Sequence, residues 1–204
     1  MVVDPQTRAV TPFVTMIDGK PMIGPNDLIF GPSGEIYFTD MGNSDLIRPT
    51  GRLVRLTPQG EAQILIDGLA APNGLALAAN GMTLYLNMFR ENAVWQMRVD
   101  ASGASRVSRF IQLSGGLGPD GLLLDRDGNL LIAHGGLGCV WRYSARGEPD
   151  LRIQAPNSYM ITNIAFGIDD PEMLYMVDST GSRILRAKLD IPGALPYSHT
   201  SYPG

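Results

Sequence analysis

Four positions have the residue types and spacing to build a cation site. They are Asn26, Asn73, Asp120 and Asn163, separated by 47, 47 and 43 residues. Each lies in a short recurring motif: Gly24-Pro-Asn-Asp-Leu, Ala71-Pro-Asn-Gly-Leu, Gly118-Pro-Asp-Gly-Leu and Ile161-Thr-Asn-Ile. Amide and carboxylate oxygens converging on one point suit a hard cation such as Ca²⁺, which takes six to eight oxygen ligands. Asn, Asp, Pro and Gly are also the usual turn formers, so the same motif can serve only to shape a turn.

Convergence requires a fold that repeats with the motif. After each motif comes a second apolar run: Glu35–Thr39, Thr83–Leu86, Asn129–Ile132 and Met173–Val177. The first unit reads as four strands, Asp27–Phe30, Glu35–Thr39, Gly51–Leu56 and Ala62–Ile66, with Ser33-Gly34 and Gln59-Gly60 as turns. Asn80-Gly81 and Asp127-Gly128 are strong hairpin signals, because both residue types tolerate positive φ. A period of ~40–50 residues with several strands per unit is that of a β-propeller blade. The first strand of each blade lies innermost, so one position per repeat faces the axis. A β-sandwich has similar turn spacing but does not predict one tetrapeptide recurring at a fixed period.

Composition agrees. The chain has 204 residues, 24 of them glycine and 15 proline, which suits short strands and turns rather than long helices. It reads as one all-β, partial propeller over residues 1–204, with repeats starting near 24, 71, 118 and 161 and about four and a half blades. The half is residues 1–14, where Val2-Val3-Asp4-Pro5-Gln6 resembles Arg55-Leu56-Thr57-Pro58-Gln59. Such an array leaves open sheet faces that a second copy of the chain would cover. Sixteen basic against 20 acidic residues give a net charge of −4, which argues against nucleic-acid binding. No apolar run approaches the ~18–20 residues of a membrane span. No basic stretch leads into an apolar one at the N-terminus, and the single cysteine, Cys139, forms no internal disulfide, so a cytoplasmic location is expected.

Together the motifs, with Ile36-Tyr-Phe-Thr-Asp40, Thr162-Asn-Ile-Ala-Phe-Gly167 and the closing Ile184-Leu-Arg-Ala-Lys-Leu-Asp-Ile-Pro-Gly193 and Pro196-Tyr-Ser-His199, resemble the SMP-30/gluconolactonase/LRE family. The resemblance implies a six-bladed propeller. It implies one divalent metal, Ca²⁺ or Zn²⁺, in the channel and hydrolysis of sugar lactones or related cyclic esters. By motif, it makes Asn73 and Asp120 metal ligands and Asn26 a substrate- or water-facing residue. Two features depart from the family pattern. The family's metal-binding Glu belongs to a first blade that nothing here matches. Gly24 stands where some sugar-lactonase members carry an Arg, so the substrate can be a different lactone.

The implied chemistry is metal-assisted ester hydrolysis, with Asp120 both anchoring the cation and taking the proton of the attacking water. A non-catalytic docking scaffold and a strictosidine-synthase-like propeller are the alternatives, since propellers host many unrelated activities. Other residues carry weaker signals. His134 reads as a packed histidine more readily than a base, and His199 as a surface residue. Cys139 reads as core. Asp40 and Asp178, at the ends of matching strands, read as structural. Trp95 and Trp141 read as packing between blades. No Gly-x-Ser-x-Gly elbow occurs.

Overall fold

The computed structural model describes residues 1–199, without the side chain of His199. Two hairpins of very short strands come first: β1 (Val2–Val3) with β2 (Val10–Thr11), then β3 (Met16–Ile17) with β4 (Lys20–Pro21). The first falls within residues 1–14, the span read as an outer half-blade, and is a separate two-stranded sheet with both strands exposed. The second was not foreseen.

Four antiparallel sheets follow, each in simple meander order. Blade 1 is β5 (Pro25–Phe30), β6 (Ile36–Asp40), β7 (Gly51–Leu56) and β8 (Ala62–Leu69). Blade 2 is β9 (Pro72–Leu77), β10 (Thr83–Met88), β11 (Ala93–Asp100) and β12 (Gly103–Gln112). Blade 3 is β13 (Gly118–Leu124), β14 (Leu130–Gly135), β15 (Cys139–Tyr143) and β16 (Pro149–Gln154). Blade 4 has three strands among the described residues, not the four expected of each unit: β17 (Ile161–Phe166), β18 (Met173–Asp178) and β19 (Arg183–Lys188). The first strands contact one another in sequence, β5 with β9, β9 with β13 and β13 with β17, so they line the axis of a four-bladed propeller arrangement. Among the described residues no helix is long and apolar enough to cross a membrane.

The core is a set of layers between blades. A central blade buries both faces, so alternate residues of one strand enter different layers. In β10, Leu84, Leu86 and Met88 pack toward blade 1, while Tyr85 packs toward blade 3. In β14, Leu130 and Ile132 face blade 2, while Leu131 and Ala133 face blade 4. That is why these strands read as near-continuous apolar runs. Ile17 anchors the β3–β4 hairpin against Phe38, Val54 and Leu56 of blade 1.

One device ties blades together, and a second holds strand ends within blades 1 and 4. At one end, the segment after β19 runs beneath blades 3 and 2: Ala194 N donates to Leu124 O at 3.1 Å, and Tyr197 Oη to Ala78 O at 3.0 Å. At the other end lie Asp40 and Asp178, both fully buried. Asp40 accepts the amides of Ile23 and Gly24 and pairs with Arg52, its cross-strand neighbour. Asp178 accepts from Ser158, Thr180 N and Gly181 N and pairs with Arg183, its own cross-strand neighbour. Both carboxylates are structural, and the Ser158 hydroxyl, with Arg183, holds Asp178 down at about 2.

Candidate active site

The recurring motif occupies the same structural position in every blade. Pro25, Pro72, Pro119 and Ile161 pair with Asp40, Met88, His134 and Asp178, the residues at or near the end of each second strand. Immediately afterwards the register shifts in all four blades, so that two residues of the first strand oppose one of the second. Such bulges re-aim side chains. The paired residues are Asn26-Asp27, Asn73-Gly74, Asp120-Gly121 and Thr162-Asn163. Thr162, not Asn163, therefore stands where Asn26, Asn73 and Asp120 stand in the other blades.

Asn73 and Asp120 come together. Asn73 is 4% exposed, and its side-chain amide lies near enough to the Asp120 carboxyl to pull its pKa down. The amide oxygen of Asn73 is the atom that could serve a cation. Burial pushes Asp120 up to about 6, against the pull of Asn73 and with a further push from the Asp27 charge. Asp27 is the residue that sequence reasoning missed. Its carboxylate accepts Leu28 N at 2.8 Å, and burial raises its pKa against the pull of the Leu28 and Leu75 amides. A signal was available: Asp27 is a charged residue aligned with Gly74 and Gly121, where blades 2 and 3 carry no side chain.

Those glycines permit the close approach. A Cβ on Gly74 would collide with the main-chain oxygen of Asp120, and one on Gly121 with the Asn163 side chain. Asn87, fully buried on β10, donates to Asp120 O at 2.7 Å, and its own amide oxygen has no partner. Asn26 is exposed, with Nδ2 3.4 Å from the Met41 sulfur, and stays outside this cluster. Asn163 is exposed as well, and its Oδ1 accepts Ile164 N.

The donor set is one amide oxygen and two carboxylates held at neighbouring inner strands. It contains oxygen alone and formal negative charge, which fits a hard divalent cation better than a nitrogen- or sulfur-seeking one. Among the described residues no group of three or more His, Cys, Asp or Glu is placed to hold an ion.

The remaining candidates are structural. His134 is fully buried; its Nδ1 accepts the Trp141 indole N–H at 3.1 Å, so Nε2 carries the proton toward Gly115 O at 3.2 Å. Burial lowers its pKa and keeps it neutral. Cys139 is buried and its thiol is pushed up by burial, away from the reactive thiolate. Trp95 packs into the layer between blades 1 and 2, and Trp141 into that between blades 2 and 3. A groove of about 520 Å³ lies between blades 1 and 2 at the opposite end, lined by Glu35, Tyr37 and Arg55, remote from the cluster.

The sequence model of the SMP-30/Gluconolactonase/LRE-like region matches residues 1–180. The chain belongs to this family. Within it, the chain is similar to a gluconolactonase of Zymomonas mobilis, 33% identical over 187 residues, covering 82% of this chain and 51% of that protein. It is also similar to a pentonolactonase of Haloferax volcanii, 28% identical over 159 residues, covering 76% and 53%. The chain thus spans about half the length of these curated relatives. Among solved structures, a gluconolactonase from Xanthomonas campestris superposes with a TM-score of 0.75 at 25% identity, covering 94% of this chain and 64% of that one. Regucalcin from Agrobacterium tumefaciens, described as a calcium-binding protein, superposes with a TM-score of 0.72 at 22% identity over 84% and 63%, a likeness of fold.

Proposed function

We propose that the chain hydrolyses a lactone at a divalent-cation site built from Asn73 and Asp120. The observation that carries this reading is the meeting of those two side chains, 47 residues apart in sequence, beside Asp27 in a chain of a family that includes gluconolactonases. Asn73 and Asp120 would hold the cation, with Ca²⁺ favoured over Zn²⁺ by the all-oxygen donors. When bound, the cation supplies polarisation of the lactone carbonyl and stabilisation of the developing oxyanion.

The reaction adds water across the ring C–O bond and yields a hydroxy acid. Asp120 takes the proton of the attacking water, and Asp27 keeps the cluster anionic. Asn26, on the exposed side of the same ring, hydrogen-bonds the substrate. Asn87 and Gly74 are positioning residues, since they act on the backbone that carries Asp120. The small-molecule lactone is the partner; the charge of −4 offers nothing to a nucleic acid.

Calorimetric titration with Ca²⁺ and with Zn²⁺ tests the site. Binding of one ion per chain, lost in Asp120→Asn and in Asn73→Leu, is expected. Unchanged binding in both variants would remove these residues from the site.

A further inference from the structure

Ile23, Ala70, Leu117 and Tyr159 form a second ring of equivalent positions. Each lies two residues before Pro25, Pro72, Pro119 or Ile161, whose pairing with the second strand fixes the equivalence. Ala70 is buried. The other three are large and apolar, and they are 44, 51 and 59% exposed. Single exposed apolar residues are ordinary. Three at one structural position, at the same end of the blades, are a pattern. Leu46 and Ile47, 64 and 87% exposed, add to it from the loop between β6 and β7. Ser44 pins that loop to the end of β8 by donating to Leu69 O at 2.6 Å.

The ring stands next to the chemistry. Three residues further along each chain segment are Asn26, Asn73, Asp120 and Thr162. Three residues span at most about 10 Å of chain. Leu117 lies within that span of Asp120, and Ile23 and Tyr159 hold the equivalent places beside Asn26 and Thr162 in blades 1 and 4. Hydroxyl groups placed there would exchange water for the Ile23 and Leu117 side chains, which offer no hydrogen bond, with the Tyr159 hydroxyl the one polar group of the three, whereas each methylene fully buried there is worth about fourfold in affinity.

On the lactonase reading above, we infer that the substrate is a lactone bearing an apolar substituent rather than a polyhydroxylated one. The lactone ring sits at the oxygen donors, and the substituent lies against Ile23, Leu117 and Tyr159.

The test separates binding from turnover by using lactams, which resist hydrolysis. Affinities of the purified chain for δ-valerolactam and for its 6-pentyl derivative are measured by NMR titration, with the cation present. At least tenfold tighter binding of the pentyl lactam is expected. That preference should disappear in the Ile23→Ser, Leu117→Ser, Tyr159→Ser triple variant and shrink in Leu117→Ser alone, with unfolding midpoints checked to show intact folds. Hydrolysis should follow the same order, with kcat/KM higher for δ-decalactone than for δ-valerolactone or glucono-δ-lactone. Equal affinity for the two lactams, or a preference that survives the triple variant, overturns the inference. A pentyl preference in a chain that hydrolyses no lactone supports the apolar ring and removes the lactonase reading instead.

Discussion

The side-chain amide of Asn87 donates to the main-chain oxygen of Asp120 at 2.7 Å, and it also reaches Gly121 O at 3.3 Å. A residue of one blade thereby holds the bulge of the next, where the carboxylate proposed to hold the cation is mounted. Asn87→Leu keeps the volume and removes the donor, leaving a buried carbonyl unpaired. A loss of about 1–3 kcal/mol is expected. Cation affinity should fall several-fold beyond any partial unfolding. Urea denaturation and calorimetric titration check the two effects. Full affinity in a destabilised variant would make Asn87 a packing residue only.

Gly74→Ala places a methyl group against backbone atoms of Asp120, Gly121 and Leu122. Backbone gives way less easily than a side chain, so blades 2 and 3 must separate. The expected cost is about 1–3 kcal/mol, with lactone hydrolysis falling more steeply than stability. Gly60→Ala, where a Cβ meets nothing within 4 Å but φ is +88°, strains only its own turn; it serves as the comparison and should cost stability while leaving hydrolysis unchanged.

Leu131 is fully buried between blades 3 and 4. Leu131→Ala opens a cavity in that layer and should lower stability by about 2–5 kcal/mol. If blade 4 were only loosely docked, the loss measured by urea unfolding would lie well below that range.

Asp178 gives a pH-dependent prediction. Its folded pKa of about 2 lies below its ordinary value, so its contribution is complete above about pH 4. It disappears as pH falls toward the folded value. Asp178→Asn should therefore be less stable than the parent chain at pH 6, and the gap should close between pH 4 and 2. A gap that stays constant over that range contradicts the role assigned to the Ser158 and Arg183 contacts.

The blade architecture was legible because turn chemistry and periodicity agree. Asn80 bonds Met82 N and Thr83 N through its side chain, and Gly81 takes φ +66°, as an Asn-Gly turn between strands requires. Asn73 and Asp120 were legible because their motifs keep the period of 47 residues. Asn163 was not placed correctly by the same logic. The fourth repeat is shorter, and a one-residue slip in a strand exchanges the faces of its side chains. Asp27 was hidden for a related reason: only the bulge brings two consecutive residues of one strand to the axis. The exposed ring of Ile23, Leu117 and Tyr159 lies outside every strand, where periodicity carries no signal.

The central claim is tested most directly by lactone hydrolysis in the purified chain, followed by proton release with Ca²⁺ or Zn²⁺, with EDTA, and in Asp120→Ala. The account predicts turnover that needs the cation, stops with the chelator and is lost in Asp120→Ala while the unfolding midpoint of that variant stays near that of the parent. Turnover that persists in EDTA or in folded Asp120→Ala, or no turnover of any lactone with either ion, would contradict it.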